Sequence, residues 1–256
     1  MPLQAVLYVS HGTRLVAGQR EARSFITSIQ SEVDIPLQAI SYLELNSPSI
    51  EEATIDLVKK GASAISVVPV LLLSAKHYNK DIPQVIHKLQ KLYPHVHFTY
   101  GKPLNVQNRI VKILEERILE QRSVLQRDAK VLLVGRGSFE PQIKSDIETI
   151  AFRLAERIGM KRVDTCYLAA CEPTFEQALV QAVESECSQI IIVPYLWFNG
   201  LLIQYMEKKA LEYTRKDKEI VLCDQLGHHP VMKLALIDRV KESFNCEFSW
   251  QKEYIQ

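Results

Sequence analysis

The strongest constraint on the fold is that the chain contains its own first half a second time. Displaced by 125 positions, Val6-Leu-Tyr-Val-Ser-His-Gly12 falls on Val131-Leu-Leu-Val-Gly-Arg-Gly137. The same displacement lays Tyr42-Leu43 on Tyr167-Leu168, and Pro48, Glu51 and Ala53 on Pro173, Glu176 and Ala178. Ile65, Val68, Pro69 and Leu71 then fall on Ile190, Val193, Pro194 and Leu196, with no gap from residue 4 to about residue 75. Four segments in one register are the mark of a duplication. Apolar periodicity lapses at 120–128, which places the seam there and predicts two domains, 1–124 and 125–256.

Each half alternates short runs rich in Val, Ile and Leu with longer stretches of three-and-four apolar spacing. The first half predicts strands at 5–9, 37–43, 64–71 and 96–100, and helices at 20–33, 49–60, 81–93 and 106–122. The second half predicts strands at 130–134, 163–168, 189–195 and 219–223, with helical patterns between them. Apolar runs without alternation suit strands covered on both faces, and strand–helix alternation requires a parallel sheet with right-handed crossovers. The fold class is therefore α/β: two similar Rossmann-like units, each a four-stranded parallel sheet flanked by helices. Ser49-Ile-Glu-Glu52 reads as a capping box, and Asp81 before Ile82-Pro83 as a capping acid at a helix start.

Composition narrows the function classes. Lys and Arg number 31 against 30 Asp and Glu, so no global field favours nucleic acid or an anionic membrane. The longest apolar stretches, 64–75 and 190–198, are too short to span a bilayer and each contains a proline. Met1-Pro-Leu-Gln-Ala5 leads straight into a strand, so no leader is expected and the expected location is the cytoplasm. Five cysteines, all in the second half and without CxxC spacing, argue for free buried thiols over disulfides or a structural metal site.

The halves differ where chemistry would sit. Ligands of open parallel sheets bind beyond the carboxyl ends of the strands. At those exits His11, Glu44 and His77 of the first half become Arg136, Ala169 and Leu202 of the second. Two imidazoles and a carboxylate suit a divalent ion such as Fe2+, Co2+ or Ni2+ and leave coordination positions open. Kept scaffold with ligands in one copy only predicts a single metal site built from His11, Glu44 and His77.

These residues also carry a resemblance. His11-Gly-Thr-Arg14, Tyr42-Leu-Glu44, Val68-Pro-Val-Leu-Leu-Leu-Ser-Ala-Lys-His77 and Asp81-Ile-Pro83 resemble the sirohydrochlorin ferrochelatase and cobaltochelatase family of the two-repeat bacterial type. Gly135-Arg-Gly-Ser138 and Val193-Pro-Tyr195 extend the resemblance over nearly the whole chain. It implies a chelatase-like fold of two α/β domains with a cleft between them. It also implies insertion of Fe2+ into sirohydrochlorin to give siroheme, without an organic cofactor. The family's metal residues fall on His11, Glu44 and His77, which would also be catalytic. The long cobalt-inserting relatives often carry a His-rich tail and a CxxC segment; this chain has neither, which favours siroheme while leaving cobalt as the alternative.

The substrate is rich in carboxylates, so Arg14, Lys76 and Arg136 are expected to bind it, with Gly12 and Gly137 allowing close backbone approach. Tyr195, Trp197 and Phe198 are candidates either for an apolar wall or for core. His87, His95 and His97 read as structural, and His228-His229 as a loop pair. Asp81 has a second possible role as an acceptor orienting His77, though the cap reading is preferred. No nucleic acid or membrane partner is expected, and a monomer is plausible. A histidine phosphatase is disfavoured because Ser10, not arginine, precedes His11. A nucleotide site is disfavoured because no GxGxxG or Walker loop follows the first strand of either half. A non-catalytic metal or tetrapyrrole carrier on the same scaffold stays open.

Overall fold

The computed structural model describes residues 3–121, 124–214 and 218–248. The elements are β1 (Gln4–Ser10), α1 (Val16–Gln30), β2 (Leu37–Tyr42), α2 (Ile50–Lys59), β3 (Ala64–Val70), a π-helical turn (His77–Asp81), α3 (Ile82–Leu92) and β4 (His97–Tyr100). They continue with α4 (Asn108–Leu119), β5 (Lys130–Gly135), α5 (Pro141–Ile158), β6 (Asp164–Tyr167), α6 (Phe175–Glu184), β7 (Gln189–Tyr195), α7 (Leu201–Glu212), β8 (Glu219–Leu222) and α8 (Pro230–Ser243). Two four-stranded sheets result, in the orders β2-β1-β3-β4 and β6-β5-β7-β8, with every neighbouring pair parallel.

In each sheet the first strand lies between the second and third, so the chain turns one way after β1 and the other way after β3. The gap between the tops of those strands is the point where an open α/β sheet receives a ligand. β3 and β7 are buried along their whole length, as strands covered on both faces should be. Ala5, Leu7 and Val9 of β1 pack with Ile50 and Leu57 of α2 and Ile82 and Ile86 of α3. Leu132 and Val134 of β5 pack in the same way with Phe175, Leu179, Ile203 and Met206. The expected capping box forms: Ser49 Oγ accepts from Glu52 N–H, and the Glu52 carboxylate from Ser49 N–H. The second repeat builds the same box from Thr174 and Gln177. The Ser47–Pro48 and Glu172–Pro173 peptides ahead of them are both cis. α1 starts at Val16, ahead of the expected residue 20, and buries Gly18 and Ala22 in its first two turns.

The compact units do not follow the sequence repeats. One comprises Met1–Asn105 with Lys233–Gln256; the other is Val106–Met232. The last helix of each repeat thus belongs to the unit built on the other repeat's sheet. In the first unit, Arg239 of α8 donates from Nε to Pro103 O at 2.8 Å and from Nη2 to Leu104 O at 2.9 Å. In the second, Arg117 of α4 donates from Nε to Gln225 O at 3.0 Å and from Nη2 to Leu226 O at 3.3 Å. Donors and acceptors are all displaced by 122 positions (117 to 239, 103 to 225, 104 to 226), and so are the carboxylates of Glu120 and Glu242 that take each Nη1. After α8 the chain runs back along β4, where Glu247 bridges Thr99 and Tyr100 N–H donates to Cys246 O at 3.0 Å.

Candidate functional site

The first unit places His11 just beyond β1 and His77 seven residues beyond the end of β3, on either side of the switch point. The two imidazoles meet edge to face, ring centroids 4.7 Å apart and planes at 87°. Two nitrogens that each sit roughly 2.0–2.1 Å from one ion can be at most about 4.2 Å apart, so shared ligation requires neighbouring rings, which these are.

Each ring is oriented by its Nδ1. His11 Nδ1 lies 3.2 Å from Gly12 O, and His77 Nδ1 lies 2.7 Å from Asp81 Oδ2. A carbonyl and a carboxylate can only accept, so Nδ1 is the donor in each pair, and the neutral form of either ring then keeps its lone pair on Nε2, the atom a metal takes. Side chains of His77 and Asp81 are 20% and 32% exposed, which leaves the pair partly desolvated.

Asp81 was expected to cap α3. Its backbone is instead helical (φ −68°, ψ −50°) and its side chain makes no cap hydrogen bond. The reason is the π turn ahead of it: the backbone is already helical at Lys76 (φ −43°, ψ −44°), and Ile82 N–H is taken by His77 O. The donors a cap would satisfy are already engaged by preceding carbonyls, and Pro83 has none to offer. The carboxylate is left for the histidine.

Glu44 stands on the neighbouring loop. Its N–H donates to His11 O at 3.2 Å, which ties the exits of β1 and β2 together. A Cβ on Gly12 (φ +91°) would lie 2.0 Å from Glu44 O, and one on Gly137 (φ +86°) 1.8 Å from Ala169 O. The close approach these glycines permit is thus that of the next strand's own carbonyl. Asn46 Oδ1 accepts from Thr13 N–H at 2.8 Å and fixes the loop that carries His11, a residue the sequence did not single out. Its one sequence signal is that the second copy has Cys171 there. The Glu44 side chain is exposed, and among the described residues no three His, Cys, Asp or Glu side chains converge as metal ligands. The structure therefore brings together His11, His77 and Asp81, and leaves Glu44 beside them.

Arg14 and Lys76 are exposed in the same two loops, and Arg136 is exposed at the matching exit of β5 in the second unit. Of the aromatic candidates, Tyr195 and Trp197 are buried, at 2% and 6% exposure, so they belong to the second unit's core. Phe198 is half-buried and stacks on Trp197 at 5.4 Å. His229 joins Glu116 at 2.8 Å and accepts from Val231 N–H at the start of α8, a structural assignment. His87 is half-buried within α3, whereas His95 and His97 are exposed. All five cysteines are free; Cys166, Cys187 and Cys223 are buried, whereas Cys171 and Cys246 are only partly so.

Among the described residues, no helix is long and apolar enough to cross a membrane. The CbiX family model matches residues 5–121 and again 130–243, once per repeat. The chain is 37% identical to the sirohydrochlorin ferrochelatase of Bacillus subtilis over 240 residues, covering 94% of this chain and 92% of that one. It is 30% identical over 251 residues to the sirohydrochlorin cobaltochelatase of Priestia megaterium, covering 96% and 81%. A solved structure of SirB from Bacillus subtilis with Fe3+ superposes with a TM-score of 0.87 at 36% identity, covering 97% of this chain and all of that one.

Proposed function

The chain belongs to the CbiX family, and from that premise we propose that its first unit is a metal-delivery site and the chain a sirohydrochlorin ferrochelatase. The reaction exchanges Fe2+ for two pyrrole protons of sirohydrochlorin and yields siroheme, with no change in oxidation state and no organic cofactor. The observation that carries the reading is the pair of imidazoles at the switch point, 4.7 Å apart, in one repeat only.

The ion must be held well enough to face the ring and loosely enough to leave. Two neutral imidazoles do this without the charge of a thiolate cage. His11 and His77 hold it through Nε2, and the Glu44 carboxylate swings from solvent to complete the set or to accept a pyrrole proton. Once the ion has passed into the macrocycle, each imidazole has a lone pair free to take a pyrrole proton as a general base. Arg14, Lys76 and Arg136 are exposed guanidinium and ammonium groups suited to the carboxylates of the substrate. The site has use for a macrocycle and an ion only, so we assign no nucleic acid or membrane partner. The free cysteines agree with a reducing compartment, the cytoplasm.

The test is anaerobic incubation with sirohydrochlorin and Fe2+, followed through the absorbance of the macrocycle. His11→Ala and His77→Ala are each expected to lower kcat/KM by about 100-fold or more. Near-parental rates in both variants would remove the assignment. Cobalt insertion is the second reading, favoured by the 30% identity to a cobaltochelatase across nearly the whole chain. Running Fe2+, Co2+ and Ni2+ in parallel separates the two by rate. Stoichiometric binding of ion or macrocycle without turnover would identify a carrier.

A further inference from the structure

From the contact of Asp81 with His77 and the π turn that joins them, we infer that Asp81 is a positioning residue for metal delivery. It fixes the His77 ring and tautomer so that Nε2 faces the incoming ion. The inference rests on the reading of His77 as a ligand, and goes beyond it by assigning a residue outside the three.

Three observations support it. The first is the 2.7 Å contact between Asp81 Oδ2 and His77 Nδ1, in which only the nitrogen can donate. Metal-bound imidazoles are commonly oriented by such a carboxylate at the far nitrogen. The second is that the turn is braced from outside: Tyr100 Oη, at the end of β4, donates to Tyr78 O at 2.9 Å, and the Tyr78 and Tyr100 rings stack at 4.9 Å. The backbone that carries both members of the pair is held against the sheet.

The third comes from the duplication. The repeats match at a displacement of 125 to about residue 75, whereas burial in the next helices agrees at 124, where Ile82 and Ile86 of α3 fall on the buried Met206 and Ala210 of α7. The π turn is therefore one extra residue in the first repeat, whereas α7 runs as regular α-helix from Leu201. A π bulge is a one-residue insertion that interrupts the helical ladder, and such bulges occur often at functional sites. Here it is confined to the copy that has the histidine, and it spans the two residues in contact.

The experiment titrates the full-length protein with Co2+ alone, without oxygen, following the visible absorption of the bound ion, with far-ultraviolet circular dichroism as the check on folding. Asp81→Ala is expected to weaken Co2+ binding by about 10- to 100-fold. Asp81→Asn, whose amide oxygen still accepts from Nδ1–H, is expected to recover most of that loss, which a merely structural carboxylate would not predict. If Asp81→Ala binds within about twofold of the parent while His77→Ala loses binding, the ligand reading stands and this inference fails. If His77→Ala binds like the parent, both fail. Nitrogen-15 spectra of His77 in the metal-free parent give an answer that needs no variant: the Nδ1–H tautomer is expected, and an Nε2–H tautomer overturns the proposal.

Discussion

A histidine that passes a metal on needs one nitrogen anchored and the other left for the ion, and both imidazoles of the candidate site have that form. His11 is anchored by a backbone carbonyl and His77 by a carboxylate. The difference is chemical: a carboxylate brings a negative charge to the far side of the ring, which favours its hold on a cation more than a neutral carbonyl does. Cys166 and Cys223 are the opposite case, side chains whose surroundings silence them. Burial, aided by the neighbouring charges of Asp164 and Asp224, pushes the Cys166 and Cys223 thiols up to about 12. At pH 8 only about one thiol in ten thousand would then be ionised, and thiolate is the reactive form. Alkylation of the folded protein at pH 8 is expected to modify Cys171 and Cys246 and to spare Cys166 and Cys223 until denaturant is added, with mass spectrometry of the peptides reading the order. Prompt labelling of Cys166 would contradict the packing around it. The role of Asp81 was open to the sequence only as an option, because i,i+4 spacing to a histidine and a place one residue before Ile-Pro fit a cap equally well.

At the level of elements, the duplication shows which local features the scaffold cannot lose. Both repeats keep a capping box at the helix that follows the second strand, although the residues changed from Ser and Glu to Thr and Gln. Each box pairs two backbone donors that would otherwise lack partners at a helix start. Ser49→Ala and Thr174→Ala are each expected to cost about 1 kcal/mol of stability, read as a lowered midpoint in urea denaturation. Equal loss in both would show the two boxes to be energetically equivalent. Strand and helix positions followed closely from apolar periodicity, since β3 and β7 are buried end to end and are built mostly of apolar residues. The π turn did not follow. No propensity marks a one-residue insertion in a helix; comparing the two copies after their burial is known is what reveals it.

At the level of the molecule, the repeat and the compact unit are different divisions of the same chain. The last helix of each repeat serves the opposite sheet, and matching arginines fasten it to the two carbonyls that follow that sheet's last strand. Hydrogen bonds from a charged donor contribute about 1.5–3 kcal/mol. Arg117→Ala and Arg239→Ala are each expected to destabilise by that amount, measured by denaturant unfolding. A chain ended at residue 124 would lack α8, whose Met232, Ala235, Leu236 and Val240 are fully buried. The exchange could not be read from sequence because the apolar residues of a last helix do not say which sheet they cover; that depends on how the connecting segments run in space.

The sequence by itself determined the α/β class, the duplication and the parallel sheets, and singled out the two histidines as candidates, because those depend on periodicity and on which copy retains a polar residue at a strand exit. Only the tertiary structure decided that His11 and His77 touch, that Asp81 serves His77 instead of a helix end, and that the last helices are exchanged. Those outcomes depend on distances between residues far apart in the chain, and strand order, turn geometry and helix placement set such distances jointly.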